Sequence, residues 1–370
     1  MRPHLTLFLG IFAVMALSNA IVPVLPFFDP GPAMQGMIYA AYFLGAFFIT
    51  LPAGVYSDKY GRIPFIRLGL AISVTSGIFL TMAGGAIWII ILRFIEGTGA
   101  GLFVAAALSA VNHNPDHVRL SGWYMACLNA GLVAGLLGAG WLAATTGNPQ
   151  SGILLFTLMA FLPAISSFFV DEPGEHHIAH EPDTVIDYIM DYRWLWYSSL
   201  ILVGITGVLT SLCPEYSDAS PDVIGFWIAG MSVATIAAVV IFSRTDLSPV
   251  PAIRWSAVLM GAAVLITFVS SSGFLIIGAL AGIVMIAQMA FLSGVQEHQG
   301  IVMGLFSTTS YLGMAVLPAA AGFIAENAGF EITFMLTALA ALTVAATIGF
   351  CNAKVTGPNG PEPAATGKEQ

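Results

Sequence analysis

Twelve apolar runs, each long enough to cross a lipid bilayer, occupy most of this 370-residue chain. A bilayer core about 30 Å thick requires roughly 20 apolar residues per helix. Only 8% of the residues are charged, whereas about 25% are charged in a typical soluble domain. Because so few polar groups cannot cover a water-exposed surface, we predict an all-α membrane protein. The expected spans are residues 5–28, 35–56, 65–83, 86–111, 120–145, 151–170, 194–213, 223–243, 253–271, 273–294, 301–325 and 331–351.

The basic residues predict the orientation of the chain. With the N-terminus in the cytoplasm, ten of the eleven lysines and arginines fall on the cytoplasmic side, and only Arg93 lies within a span. Cytoplasmic loops of membrane proteins carry such an excess of basic residues. We therefore expect a multi-pass protein of the cytoplasmic membrane with both termini in the cytoplasm. The first apolar run is too long for a secretory signal and lacks a small-residue cleavage site, so we expect it to be a span.

A polar, acidic stretch in the middle of the chain separates six spans from the other six. It runs from Asp171 to Arg193 and is too short to be a domain. The predicted division is a first six-helix half at residues 1–170, a cytoplasmic linker at 171–193, a second half at 194–352 and a cytoplasmic tail at 353–370.

An internal repeat relates the two halves. A shift of 182 residues places the fifth span over the eleventh and aligns four pairs of glycines, which are Gly122 with Gly304, Gly131 with Gly313, Gly140 with Gly322, and Gly147 with Gly329. The six-plus-six count points to the same arrangement. We therefore expect two pseudo-symmetric halves, an architecture common among secondary transporters, whose substrate sites lie near the midplane between the repeats.

The loop after the second span carries a short charged pattern. Its sequence is GVYSDKYGRIP, residues 54–64. The pattern G-x-x-x-D-[R/K]-x-G-[R/K]-[R/K] is matched here by Gly54, Asp58, Lys59, Gly61 and Arg62, and Ile63 replaces its last basic residue.

Two further patterns lie in the fourth and fifth spans. RFIEGTG matches R-x-x-Q-G-x-G at Arg93, Gly97 and Gly99, with Glu96 where glutamine is usual. The fifth span has the glycines of an antiporter-type pattern, Gly131 and Gly135, but Leu136 replaces its proline, and the repeat partner of that position is Pro318. With the loop pattern in its expected place, the chain resembles the major facilitator superfamily of transporters from its first span to its last, and most resembles the drug:proton antiporters.

This resemblance implies a fold and a function. The fold is twelve transmembrane helices in two six-helix halves that rock about a central site. The function is secondary active transport of a small, amphiphilic organic solute by alternating access, as proton-coupled efflux. The alternatives are an uptake symporter or uniporter for a small organic solute, or a non-transporting sensor on the same scaffold.

Other classes of function lack the residues that they require. We find no phosphate-binding glycine loop and no hydrolytic triad, so we expect neither an enzyme nor a bound cofactor. The net charge of −9 argues against nucleic-acid binding. His176 and His180 have the i,i+4 spacing of metal ligands, but Pro173 and Pro182 disfavour a regular helix there, so we predict a solvated linker and no metal site. The expected partners are the bilayer, a small-molecule substrate and protons, and we expect a monomer.

The resemblance also implies a conformational clasp at the cytoplasmic face. Asp58 would lie at the end of the second helix, close to the start of the eleventh, where a carboxylate can accept backbone N–H groups. Arg62 would pair with an acid of the loop between the fourth and fifth spans, for which Asp116 is our choice. Gly61 allows the tight turn. The alternative is that Lys59 and Arg62 only set the topology.

Arg93 and Glu96 are the clear ionisable pair within a span. Their i,i+3 spacing places them on one helix face, where they can form an ion pair. Ionisable groups in the membrane are costly and mark functional sites. Three hypotheses stay open: Glu96 couples proton movement to transport, the pair is structural, or Arg93 binds an anionic substrate.

A few polar residues can face a central cavity. Each can either contact substrate or bond a neighbouring helix, and they are Asn19, Tyr39, Tyr42, Asn129, Gln288, Ser310 and Tyr311. Close helix packing is assigned to Gly97, Gly131, Gly135 and Pro318.

Overall fold

The computed structural model describes residues 3–29, 31–112, 114, 116–169, 188–217, 219–245, 247–293 and 299–351. Within these residues the chain forms twelve long α-helices, and 3-10 turns follow the first and the last of them. The helices are α1 Pro3–Ala20, α2 Pro32–Tyr60, α3 Arg62–Leu80, α4 Ala86–Asn112, α5 His117–Thr146, α6 Ser151–Ser167, α7 Arg193–Tyr216, α8 Pro221–Phe242, α9 Pro249–Val269, α10 Ser272–Ser293, α11 Gln299–Ala328 and α12 Phe330–Thr347.

Each predicted span corresponds to one of these helices. Eleven of the helices are long and apolar enough to cross a membrane, and α6 is apolar but shorter, with 17 residues. The first α-helix ends at Ala20, and the 3-10 turn Val22–Phe27 completes the span predicted at residues 5–28. The other helix ends lie within four residues of the predicted limits. The sixth helix ends at Ser167 rather than at residue 170. The seventh continues to Tyr216 because Pro214 lies inside it instead of ending it, and neighbouring helices make such prolines tolerable in membranes.

The helix contacts show two halves with the same internal packing. In the first half α1 packs against α5 and α6, α2 against α4, and α3 against α4 and α6. In the second half α7 packs against α11 and α12, α8 against α10, and α9 against α10 and α12. Adding six to each helix number converts the first set into the second. The predicted pseudo-symmetric, all-α architecture is therefore confirmed.

Two seams join the halves, and the same symmetry relates them. One seam is between α2 and α11, and the other is between α5 and α8. We call the end of the bundle with the α2–α3 loop the basic end, and the other the opposite end. At the opposite end a Cβ on Gly140 would overlap the carbonyl oxygen of Pro221, and one on Gly322 would overlap that of Pro32. The halves therefore touch backbone to backbone there.

The aligned glycines occupy equivalent environments in the two halves. A Cβ on Gly131 would overlap the carbonyl oxygen of Phe12 in α1, and one on Gly313 would overlap that of Leu200 in α7. The repeat read from the glycines thus corresponds to a repeat in packing, since α1 and α7 are equivalent helices.

The last aligned pair differs in backbone conformation. Both glycines follow the end of a helix and have positive φ, but Gly147 has φ 68° and ψ 6°, whereas Gly329 has φ 89° and ψ 163°. The first conformation is left-handed helical, and the second is essentially restricted to glycine.

The other residues assigned to packing also lie at close contacts. A Cβ on Gly97 would overlap the carbonyl oxygen of Tyr42, and one on Gly135 would overlap that of Ala16. Pro318 packs on α7, where its Cγ would lie 3.0 Å from a Cβ on Gly207. Small residues at these crossings let the membrane helices approach closely.

Candidate functional site

A cavity of about 360 Å³ lies between the two halves. Residues of α1, α2, α4 and α5 form its wall on one side, and residues of α7, α8, α10 and α11 form the other. All seven polar residues singled out in the sequence line it, namely Asn19, Tyr39, Tyr42, Asn129, Gln288, Ser310 and Tyr311. Contact of these residues with a substrate stays a prediction.

The cavity wall is aromatic and uncharged. Phe43 of the first half and Tyr311 of the second face each other with ring centroids 6.2 Å apart, so aromatic contact joins the halves beside the cavity. Tyr39, Tyr42 and Phe306 add further rings. No charged side chain lines the cavity among the residues that the structure describes. A solute with several ionised groups would lose its hydration here without gaining partners of opposite charge.

The cavity wall also contains hydroxyl groups that sequence reasoning missed. They are Ser18, Thr206, Thr210, Ser232 and Thr235. Each donates a hydrogen bond to a backbone carbonyl three or four residues earlier in its own helix. Because serine and threonine do this in membrane helices generally, the sequence has no signal that distinguishes a cavity-lining hydroxyl from any other.

Arg93 and Glu96 form a buried ion pair in α4. Arg93 Nη1 lies 2.7 Å from Glu96 Oε2, and each side chain is 1% exposed. They are the only buried charged side chains in the described part of the chain. The guanidinium also lies over the ring of Tyr42 in α2, 4.5 Å from its centroid. Opposite charge and a π face both stabilise the buried cation.

The ion pair lies behind the cavity wall. Tyr42 lines the cavity, whereas Arg93 and Glu96 do not, so the tyrosine ring separates the pair from the cavity. Arg93 Nε and Glu96 Oε1 have no hydrogen-bond partner among the described residues. The pair is therefore only partly compensated for its desolvation.

The clasp residues lie where α2 meets α3 at the basic end. Gly61 is the single residue between these helices, with φ 94° and ψ 147°, a conformation that favours glycine. Lys59 lies over the ring of Tyr60 at 5.3 Å. A Cβ on Gly54 would meet no atom within 4 Å. The side chain of Asp58 lies outside the described part of the structure.

Arg62 contacts α4. Its Nε donates a hydrogen bond of 2.9 Å to Ser109 Oγ near the basic end of that helix. Asp116 precedes α5, where its carbonyl accepts from the Leu120 amide at 3.1 Å and its own amide donates to Asn114 Oδ1 at 3.1 Å. The pairing of Arg62 with Asp116 stays a prediction.

A polar contact between the halves at the opposite end was not anticipated. Gln35 Nε2 donates both to the carbonyl of Asp29 and to Glu215 Oε2 at the end of α7. Glu326 of α11 accepts from the Ala33 amide at 3.2 Å. Glu215 was missed because the seventh span was predicted to end at residue 213, which places the carboxylate in a loop.

The proposed linker and tail lie mostly outside the described residues. These include residues 170–187, with His176 and His180, and residues 352–370. Among the residues that are described, no group of three or more histidines, cysteines or carboxylates is placed to hold a metal ion. The predicted domain limits therefore stay predictions.

Comparison with known proteins identifies the family. The family model described as the Major Facilitator Superfamily matches residues 7–219, which is more than half of the chain. An MFS-type transporter of Enterobacter sp. (strain 638) is 28% identical over 246 residues, covering 64% of each chain.

Two further relatives match shorter stretches. The multi-drug resistance efflux pump PmrA of Streptococcus pneumoniae is 31% identical over 137 residues, covering 35% of this chain and 34% of the pump. The sodium-dependent phosphate transport protein 1 of Oryctolagus cuniculus is 34% identical over 83 residues, covering 22% and 18%. The chain thus spans less than two thirds of the length of each relative.

The fold matches that of a solved transporter. The nucleoside transporter NupG, whose crystal structure is that of a point mutant, aligns with a TM-score of 0.74 at 11% identity, covering 94% of this chain and 99% of that one. At this identity the likeness is one of fold.

Proposed function

Because the chain belongs to the Major Facilitator Superfamily, we propose that it exports a small, amphiphilic organic solute from the cell in exchange for protons. The observation that carries this proposal is the cavity between the halves, which is lined by aromatic rings, uncharged among the described residues and large enough for a small organic molecule. Such a site favours a solute with a large apolar surface over a sugar phosphate or a dicarboxylate.

The contacts between the halves support transport by alternating access. The cavity lies between them, and the α2–α11 and α5–α8 seams close it at the opposite end through glycine backbone contacts. Rocking of the halves about the cavity would separate these contacts and close the basic end instead. In that closed state the segment from Gly54 to Arg62, with Asp116, would act as the clasp. Alternation between the two states exposes the cavity to one side of the membrane at a time.

Proton coupling is assigned to Glu96. Protonation of this carboxylate removes the charge that balances Arg93, and the guanidinium then has only the Tyr42 ring to stabilise it. Because Tyr42 lines the cavity, a shift of Arg93 changes the cavity wall. The position of the pair behind Tyr42 disfavours the hypothesis that Arg93 binds an anionic substrate directly. A purely structural ion pair is the alternative that the experiment below excludes or establishes.

The direction of transport is proposed as efflux. One relative is named a multi-drug resistance efflux pump, and another is named for sodium-dependent phosphate transport. The cavity favours the first comparison, because a phosphate ion requires basic groups, and the described wall has none. Efflux from the cytoplasmic membrane is also consistent with a substrate that partitions into the bilayer.

The test compares two assays in proteoliposomes that contain the purified protein. The first measures accumulation driven by an imposed pH gradient, and the second measures exchange of labelled for unlabelled solute without a gradient. Each uses a lipophilic amine, a neutral amphiphile and an organic acid. We expect Glu96→Gln to lose driven accumulation and to keep exchange, whereas Glu331→Gln, which changes an exposed carboxylate at the start of α12, keeps both.

Each other outcome has a definite meaning. If Glu96→Gln keeps driven accumulation, proton coupling does not reside at Glu96 and the structural alternative holds. If the wild type accumulates only the organic acid, the substrate class is wrong. If the wild type binds solutes but moves none, the protein is a sensor on a transporter scaffold.

A further inference from the structure

The polar atoms of the cavity wall are biased towards hydrogen-bond acceptors. A hydroxyl has one proton to donate, and all six serine and threonine hydroxyls of the wall donate theirs to backbone carbonyls. Thr206 Oγ1 lies 2.7 Å from the Val203 oxygen, and Ser310 Oγ lies 2.8 Å from the Phe306 oxygen. The other four are Ser18, Thr210, Ser232 and Thr235. What these hydroxyls still offer to a solute is their lone pairs.

The two asparagine side chains of the wall also use their NH2 groups within the protein and leave their carbonyl oxygens as acceptors. Asn19 Nδ2 donates to the Leu132 carbonyl at 3.3 Å, and Asn129 Nδ2 donates to the Met125 carbonyl at 2.8 Å. Only the NH2 end of an amide can bond a carbonyl oxygen, so each partner determines which end faces it. The carbonyl oxygens of both side chains have no hydrogen-bond donor among the described residues.

Gln288 is oriented by a chain of two hydrogen bonds. The Ser198 hydroxyl donates to the Leu195 carbonyl at 2.7 Å, so its oxygen can only accept from Gln288 Nε2, which lies 3.0 Å away. Gln288 Oε1 is then left without a partner among the described residues, in a side chain that is 0% exposed. A buried carbonyl without a donor is costly, and this one belongs to a residue of the cavity wall.

We propose that the cavity selects apolar primary and secondary amines in their protonated form, with Gln288 Oε1 as the acceptor for an ammonium N–H. The aromatic rings of the wall stabilise the cation through their faces, and the carbonyl and hydroxyl oxygens receive its N–H groups. The remaining donors of the described wall are tyrosine hydroxyls, and two of these face hydroxyls of the wall, Tyr39 with Thr210 and Tyr42 with Ser18. A carboxylate therefore finds few partners. This inference rests on the proposed transport function, since it takes the cavity as the substrate site.

Comparison of two ammonium ions distinguishes recognition by charge from recognition by hydrogen bonding. A quaternary ammonium ion has the same charge as a primary one but no N–H group. If the rings alone recognised the cation, both ions would bind. If the acceptors select the solute, the primary amine binds at least about tenfold more tightly, because a hydrogen bond from a charged donor has at least that effect on an affinity.

The test is binding to the purified full-length protein in detergent micelles by isothermal titration calorimetry, with empty micelles as the blank. The probes share one hydrocarbon chain: 4-phenylbutylamine, its N,N,N-trimethyl analogue and 5-phenylpentanoate. We expect the primary amine to bind most tightly and the carboxylate most weakly. Gln288→Met should weaken primary amine binding about tenfold and leave binding of the trimethyl analogue within about twofold, which also shows that the variant is folded.

Gln35→Met is the matched control. Gln35 is also 0% exposed and also has an Oε1 without a partner among the described residues, but it does not line the cavity. This variant should keep the wild-type ratio of the two affinities. Binding of the trimethyl analogue or the carboxylate as tightly as the amine, binding of none of the three, or an unchanged ratio in Gln288→Met would overturn the proposal. Because no gradient is used, selective binding without flux would contradict the transport function and leave this selectivity standing.

Discussion

The two halves of the molecule pack equivalent helices in the same way but with different side chains. A shift of 181 residues places Gly97 of α4 on Gly278 of α10, and each glycine meets the carbonyl of the equivalent helix, at Tyr42 in α2 and at Met231 in α8. The same shift places Gly101 on Gly282, whose neighbours are also equivalent. Under this alignment Arg93 falls on Phe274, and Glu96 falls on Ile277.

The second half therefore shows what the first would be without its ion pair. Phe274 and Ile277 are fully buried, like Arg93 and Glu96, and the helices around them pack in the same way. A buried ion pair is often no more stabilising than apolar residues of similar volume. Because an apolar pair suffices for this packing in α10, stability gives no reason for charges in α4, which supports a functional role for them.

The largest expected effect comes from copying the second half into the first. Glu96→Ile alone should lower the free energy of unfolding by about 3–5 kcal/mol, because it leaves Arg93 buried without a counter-charge. The double variant Arg93→Phe/Glu96→Ile should recover most of this loss, since it recreates the apolar pair of α10. Thermal unfolding in detergent and driven transport in proteoliposomes check the two parts. A double variant that is stable and still transports like the wild type would make the pair structural.

The next effect tests whether the equivalent glycines are equally constrained. Gly97→Ala and Gly278→Ala should each lower the free energy of unfolding by roughly 1–3 kcal/mol, since a Cβ would overlap a backbone carbonyl in both halves. Gly122→Ala is the control, because a Cβ there meets no atom within 4 Å and alanine favours a helix. Chemical unfolding curves measure all three. An unchanged free energy of unfolding in Gly278→Ala would contradict the equivalence of α4 and α10.

A smaller effect is expected from substitutions at the seams, where the two halves contact each other. Gly140→Ala and Gly322→Ala should each shift the population by about tenfold towards the state that is open at the opposite end, since the added methyl group forces the halves apart there. Spin labels at Asn148→Cys and Ser272→Cys, introduced after the three native cysteines are replaced by alanine, report the separation. Gly135→Ala, whose contact with Ala16 lies within the first half, should not widen it.

The smallest effect separates the two glycines that follow α5 and α11. Gly147→Ala should cost about 1 kcal/mol, because alanine tolerates the left-handed helical region at a moderate penalty. Gly329→Ala should cost about 1 kcal/mol more, because its combination of φ 89° and ψ 163° is essentially restricted to glycine. Unfolding midpoints measured side by side decide the order, and equal costs would show that Gly329 can relax.

The fold was largely predictable, because the membrane imposes strong rules on composition. Span length, the six-plus-six count and the glycine pairs such as Gly131 with Gly313 all led to the observed architecture. One wrong span limit affected the contacts between the halves, because the seventh helix continues past residue 213. Pro214 ends helices in water but is accommodated inside α7, so the position of Glu215 was missed.

The site was only partly predictable, because hydrogen-bond direction depends on partners distant in sequence. Seven polar residues of the cavity wall were identified because polar residues are few in apolar spans, whereas five serine and threonine residues of the wall were missed. That Gln288 leaves its carbonyl oxygen without a donor follows only from Ser198, 90 residues away. The position of Tyr42 between Arg93 and the cavity likewise requires the crossing of α2 with α4.

The lack of charge in the described cavity wall has a consequence for bioenergetics. With no fixed charge on the wall, the net charge that crosses the membrane in one cycle is set by the cargo and the coupled ions. A singly protonated amine that leaves while one proton enters moves no net charge, so the pH difference alone would drive it. A second proton per cycle would add the membrane potential as a driving force, about 2.3 kcal/mol for each 100 mV. Under the proposed exchange of amine for protons, the ratio of protons to amine would decide whether voltage contributes to export.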